Sequence, residues 1–339
     1  MKKIVYIGNN LSEKTNYHSA MATLTKQLQS EGHSVICTSD KTNKITRLLE
    51  MCFTILKHRN TTDLVLIDTF STSNFYYALM TSQLARILSL KYIPILHGGN
   101  LPYRLKNSEH LSTLIFKYAY QNVSPSLYLA SEFKKYNFKT VYIPNTIPVS
   151  EVPFKFRSKL DAKILWVRAF DKIYNPEMAV KVLAILKVAY KNASLCMVGP
   201  DKDGSLSEVK DLAKQLGVAD SLTFTGVLPK EKWHQLSENY DIFINTTNID
   251  NMPVSVMEAM ALGLPIVSTD VGGLPYLIEI NVDGILIPVN DEKKMAEAII
   301  SLLDNGEMAA ELSKNAREKV EKFDWNVVKV TWNKLLKNV

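Results

Sequence analysis

Short runs of β-branched and aromatic residues alternate with amphipathic stretches along the whole chain, the pattern of βα units around parallel sheets. In the first half the apolar runs predict strands at Lys3–Ile7, Ser34–Cys37, Asp63–Ile67, Tyr92–Leu96, Asn122–Val123 and Thr140–Ile143. Helical spacing separates them, as in Tyr17–Ser30, where Ala20, Met21, Leu24 and Leu28 share one face. The second half restarts the alternation with AKILWV, SLCMV, SLTFT, DIFIN, PIVST and GILIP. Between the halves, Pro144–Lys159 carries three prolines and no strong period, and reads as a linker. The pattern predicts two Rossmann-like α/β domains, residues 1–150 and 151–322, with residues 323–339 forming a final helix on which Trp325, Val328, Trp332 and Leu335 fall at packing positions.

Composition agrees with that division. The 339 residues exceed what one hydrophobic core usually serves, and 46% hydrophobic with 22% charged residues excludes a disordered chain. Cys37, Cys52 and Cys196 are odd in number and far apart, so neither a disulfide framework nor a zinc cluster is predicted, and a reducing cytoplasm is expected. The apolar stretch after the two N-terminal lysines is too short for a signal peptide, and no run predicts a membrane span. Charge is uneven: residues 1–150 hold 17 Lys/Arg against 8 Asp/Glu, a balance of +9, whereas residues 151–339 hold 23 against 26, a balance of −3. The basic half fits an anionic membrane surface, an anionic acceptor, or a merely solvated exterior; no nucleic-acid partner is expected.

Doubly wound halves bind ligands at the carboxyl ends of their strands. The loop after the first strand, IGNNLSEKTNYHS, lacks the GxGxxG of a dinucleotide site, and the chain has no GxxxxGK[ST]. Dehydrogenase and P-loop chemistries are therefore set aside, leaving a two-lobed protein with a ligand cleft.

The most informative segment is Asp241–Glu279, DIFINTTNIDNMPVSVMEAMALGLPIVSTDVGGLPYLIE. A strand ending at Asn245 leads through a polar loop to Pro253, placed as the first residue of a helix that closes at Gly263. Asp250 stands in the loop before that helix, and Glu258 lies more than one turn inside it. Loop N–H groups and the helix dipole suit a phosphate. Taken alone, Asp250 or Asn251 reads equally as an N-cap and Glu258 as an exposed helix residue.

The block as a whole, D-x7-E followed by A-M-A-x-G-x-P-I-V-S-T-D-V-G-G-x-P, resembles the E-x7-E segment of retaining glycosyltransferases of family four, which have the GT-B fold. The resemblance extends through LCMVGPDKDG, SLTFTGVLPKEKWHQLSENYDIFI and DGILIPVNDEKKMAEAIISLL, covering roughly residues 160–325. It implies two Rossmann-like domains with parallel sheets facing each other across a cleft, the last helix crossing back to the first domain. It further implies transfer of a hexose from a nucleoside-diphosphate sugar, UDP- or GDP-linked, to a glycan or lipid-linked acceptor, with retention and without a cofactor. Under this resemblance Glu258 holds the nucleotide ribose, Asp250 contacts the sugar, and Asn251, Met252, Pro253, Val254 and Gly226 line the donor site. Where the family usually has Glu, Asp250 is one methylene shorter. Arg168 and Lys172, spaced Arg-x3-Lys, match the pair that clamps the diphosphate, suited to a leaving group that gains charge. His97 in ILHGGN matches a histidine that contacts the sugar, with Gly98 and Gly99 beside it. Asn9, Asn10 and Asn16 occupy the loop that serves acceptor or phosphate.

Three features compete with this picture. Asp201-Lys202-Asp203 forms a DxD, but it lies in a turn, so no metal is expected. Lys44–Arg59, with Leu48, Leu49, Phe53, Ile55 and Leu56, reads as a core-facing helix or as a membrane-touching one. A sugar-nucleotide epimerase of the same fold, or a sugar-nucleotide-binding protein without transfer activity, are the rival functions.

Overall fold

The computed structural model describes residues 1–10 and 20–339 and divides the chain into two units: Met1–Thr146 with Trp325–Val339, and Ile147–Asp324. Asn16 lies outside the described residues.

The first unit runs β1 (Lys3–Ile7), α1 (Ala20–Ser30), β2 (Ser34–Thr38), α2 (Lys44–His58), β3 (Leu64–Thr69), α3 (Asn74–Ile87), β4 (Tyr92–Leu96), α4 (Leu101–Asn107), α5 (Glu109–Phe116), β5 (Asn122–Ser124), α6 (Leu127–Lys135) and β6 (Thr140–Tyr142). Its strands form a six-stranded parallel sheet in the order β2-β1-β3-β4-β5-β6. Every residue of β3 and β4 is buried, which is why these strands read as continuous apolar runs. The sheet changes direction between β1 and β3, where Ile7 pairs with Ile67.

The second unit runs β7 (Lys163–Val167), α7 (Pro176–Ala189), β8 (Ser194–Val198), α8 (Ser205–Gln215), β9 (Leu222–Gly226), α9 (Lys230–Ser237), β10 (Ile242–Asn245), α10 (Val254–Ala261), β11 (Ile266–Thr269), α11 (Leu274–Leu277), β12 (Ile285–Ile287), α12 (Glu292–Asp304) and α13 (Gly306–Glu321). Its six-stranded parallel sheet has the order β12-β11-β10-β7-β8-β9, so the direction changes between β7 and β10. Apolar side chains from both faces form separate cores, one around Trp166 and Met178, the other around Phe243 and Met257. The last helix, α14 (Trp325–Lys337), belongs to the first unit, where Val328, Trp332 and Leu336 pack on Ile4, Tyr6 and Leu64.

The structure adds detail to two expectations. The stretch Pro144–Lys159 is not a free linker: Ile147, Val149 and Val152 are buried in the second unit's core. Arg157, only 3% exposed, donates to the carbonyls of Tyr240, Ser237, Leu262 and Gly263, which satisfies the guanidinium and anchors the segment. Nor is the apolar content of Lys44–Arg59 all core-facing. Met51 and Ile55 are buried, but Leu49, Phe53 and Leu56 are exposed.

Candidate active site

The direction change in each sheet is where two strand ends part and leave room for a ligand. In the second unit those strands are β7 and β10, and the loops beyond them carry Arg168 and Asp250, which form an ion pair. Asp250 also accepts from the N–H of Asn251 at 2.9 Å, and the Arg168 guanidinium lies 4.8 Å from the Tyr174 ring centroid. Both charged side chains are about 15% exposed, so the pair is shielded yet reachable.

Glycines set these loops. Gly199, past the end of β8, takes φ +149, and a Cβ there would fall 1.8 Å from the Arg168 carbonyl oxygen. On the other side, the N–H of Gly273 donates to the Asp250 carbonyl at 3.1 Å. A Cβ on Gly272 would meet that same carbonyl oxygen at 2.1 Å, and one on Gly273 would meet the Asn251 carbonyl oxygen at 1.5 Å. The DVGG turn is thus the wall against which residues 250–251 are laid, and only residues without a Cβ permit the approach. Gly226 ends β9 with φ +69, and its carbonyl accepts from Gly199 at 2.9 Å.

Pro253 occupies the N-cap of α10 and not its first turn, with Val254 as the first helical residue. Pro253 and Met252 are buried with Asn251. Half-buried Ser255, in the first turn, has a buried hydroxyl without a hydrogen-bond partner. Glu258 is 3% exposed, which removes the reading of an exposed helix residue. Its carboxylate pairs with Lys230 of α9, and the other oxygen lies 3.7 Å from His234 Nε2. Sequence reasoning missed Lys230 and His234: the i, i+4 spacing that places both on one face of α9 was visible, but not that this face meets α10.

Lys172 does not join Arg168. Its ammonium, 70% exposed, pairs with Glu208 of α8 at 3.2 Å, and that hydrogen bond raises the lysine pKa. The carboxylates of the DxD are used locally. Asp201 accepts from the N–H of Gly204 at 2.9 Å, and Asp203 from those of Lys172 at 2.9 Å and Ser205 at 3.1 Å. The Lys172 N–H in particular holds the Asp203 carboxyl below the usual carboxylate range. Among the described residues no group of three or more His, Cys, Asp or Glu is placed to hold a metal ion.

In the first unit the direction change lies between β1 and β3, and Asp68 stands there, 8% exposed. Its Oδ1 accepts from the Tyr6 hydroxyl at 2.8 Å and lies 2.9 Å from His97 Nε2. The His97 ring stacks on Phe70, with centroids 5.3 Å apart. Burial first, and the Asp68 carboxylate second, push the Tyr6 phenol well above its ordinary pKa, so it stays a donor. Gly8 approaches so closely that a Cβ would lie 2.7 Å from Asp68 Oδ2; Gly98 and Gly99 follow His97. Asn9 serves the loop itself, accepting from buried Arg47 at 2.9 Å, and the N–H of Asn10 donates to Ser39 at 2.9 Å. Asp68 and Tyr6 were not singled out from sequence, since an acid at the end of an apolar strand carries no periodic signal.

Asp68→Ala should lower stability by about 1–3 kcal/mol, because it strands the Tyr6 hydroxyl in a fully buried position. In urea unfolding, Tyr6→Phe added to Asp68→Ala should recover part of that loss, a coupling that a double-mutant cycle measures. Strict additivity of the two changes would contradict the assigned network.

The family model described as glycosyl transferases group 1 matches residues 150–319. The amylovoran biosynthesis glycosyltransferase AmsK of Erwinia amylovora is 26% identical over 253 residues, covering 70% of this chain and 61% of that protein. The chain spans between about a fifth and about three fifths of the length of the curated relatives it matches. Among solved structures, sucrose-phosphate synthase from Thermosynechococcus elongatus superposes with a TM-score of 0.83 at 16% identity, over 100% of this chain and 99% of that one. HepE of Anabaena in complex with UDP-glucose superposes with a TM-score of 0.78 at 15% identity, over 100% of each chain. At such identities the likeness concerns the fold, and it is the GT-B fold, as the family resemblance implied.

Proposed function

Because this chain belongs to the glycosyl transferases group 1, we propose that it moves a hexose from a UDP- or GDP-linked sugar to a glycan or lipid-linked acceptor, in polysaccharide or glycolipid synthesis. The observation that carries this reading is the Arg168–Asp250 pair at the point where β7 and β10 diverge, just before the N-terminus of α10. A cation and the open N–H groups of a helix end together favour a diphosphate. The unpartnered Ser255 hydroxyl in that turn adds a polar atom that a ligand would satisfy. In this reading buried Glu258 takes the ribose hydroxyls, and its pairing with Lys230 keeps the carboxylate charge compensated before the donor binds. His97, fixed by Asp68, supplies a hydrogen-bonding group at the strand ends of the first unit.

In the proposed reaction the bond between the anomeric carbon and the diphosphate oxygen breaks, and a bond to the acceptor oxygen forms on the same face. The departing phosphate oxygen takes the acceptor proton. Arg168 stabilises the charge gathered on the leaving group as the sugar passes through an oxocarbenium-like state. No carboxylate pair acts as nucleophile and acid, unlike a retaining glycosidase. No metal is invoked, since a guanidinium and a helix N-terminus provide the positive field.

Isothermal titration with nucleoside diphosphate and intact donor, EDTA present, tests the division of roles. Glu258→Ala should weaken both ligands. Asp250→Ala should leave nucleoside diphosphate affinity equal or tighter, because it frees the Arg168 charge, while donor transfer drops by the roughly 1–3 kcal/mol of an unpaired sugar hydroxyl. Turnover that proceeds without any acceptor, or that requires a divalent cation, would overturn the proposal.

A further inference from the structure

Helix α2 is apolar on two opposite sides. Met51 and Ile55 face the sheet, while Ile45, Leu49, Phe53 and Leu56 are 71%, 64%, 63% and 40% exposed. At 100° per residue these four outward positions fall within an arc of about 80°. Helix α3, packed alongside α2 over the same face of the sheet, repeats the arrangement. Its Tyr76, Met80 and Ile87, at 48%, 51% and 79% exposure, have the same spacing as Ile45, Leu49 and Leu56. Isolated surface apolar residues are ordinary; two neighbouring helices with matching outward stripes are not.

The charge around the stripes is of one sign. Lys44, Lys57 and Arg59 lie at the ends of α2, and Arg86 of α3 sits 3.9 Å over the Tyr118 ring, with Lys117 beside it. The sole acid in either helix is Glu50, and it is turned away from the stripe to accept from Ser39. An apolar stripe flanked by cations and by an interfacial tyrosine matches the boundary between acyl chains and anionic headgroups.

We propose that the α2–α3 face of the first unit lies on the surface of an anionic bilayer, with the two stripes inserted at the headgroup boundary and the flanking Lys and Arg on lipid phosphates. This deepens the functional reading, resting on it only for the inference that the acceptor is the lipid-linked kind.

The test is co-sedimentation of the full chain with vesicles of phosphatidylglycerol and phosphatidylcholine, and with vesicles of phosphatidylcholine alone. The chain should bind the mixed vesicles, bind less as salt rises, and leave pure phosphatidylcholine largely unoccupied. Leu49→Ser with Phe53→Ser should reduce binding at least tenfold; both side chains are exposed, so the fold is retained. Titration of the same variant with nucleoside diphosphate should match the parent, and a failure there in the parent itself would count against the functional reading and not the docking face. Unchanged vesicle binding by the double variant, loss of binding only on removing Lys57 and Arg59, or a parent that sediments as a dimer which the variant dissolves would each overturn the proposal.

Discussion

Arg168→Ala is expected to lower kcat/KM for sugar transfer about 10²–10³-fold, the range for removing one preorganised donor from a developing negative charge. The guanidinium is held from several sides. Asp250 pairs with it, the Tyr174 ring lies against it, and its backbone N–H is tied to the Val198 carbonyl at 3.0 Å. In the proposed reaction, little reorganisation is then needed when the diphosphate departs. The same substitution leaves the Asp250 carboxylate, 14% exposed, without its cation, so donor binding should weaken as well. Arg168→Lys should restore part of the rate and not all, because an ammonium lacks the planar fork that reaches two oxygens. Steady-state kinetics with circular dichroism as the fold control decides this; an alanine variant within threefold of the parent would remove Arg168 from the mechanism. Lys172→Ala should cost much less than Arg168→Ala, given that its ammonium rests on Glu208 in open solvent.

Trp332→Ala is expected to destabilise the first unit by about 3–5 kcal/mol, the usual cost of deleting a buried indole. Trp332 is 3% exposed and sits between Val328 and Leu336 on the one side of α14 that meets the sheet. Part of that cost should appear as local detachment, because the polar ties of α14 are mostly to the ends of neighbouring elements. Asn333 donates to Glu31 at 3.1 Å, Lys329 pairs with Glu31 at 3.2 Å, and Tyr120 donates to the Asn338 carbonyl at 2.6 Å, all near the surface. Urea unfolding should show a lower midpoint, and amide exchange should show α14 opening before the sheet. A variant with parental stability and protected α14 amides would mean that the helix is held by something other than this packing.

The strands were legible in the sequence because parallel strands buried on both faces leave uninterrupted apolar runs, as in LVLIDT and YIPIL. So was the local structure of the Asp250–Glu258 block, whose loop, proline and helix follow one another in a few residues, whereas the roles of its two carboxylates were implied by the family resemblance and not by spacing. What tertiary structure decided lies across long stretches of chain. Arg168 meets Asp250, and Asp68 meets Tyr6 and His97, only because strands far apart in sequence become neighbours in a sheet, and Lys230 meets Glu258 only because two helices pack together. Periodicity is blind to such partners. It was equally blind to which apolar side of α2 would be covered: with Met51 and Ile55 on one side and Leu49 and Phe53 on the other, local pattern offers both. The sheet can cover only one of them, and the choice is made by what the whole unit packs against, not by the helix itself.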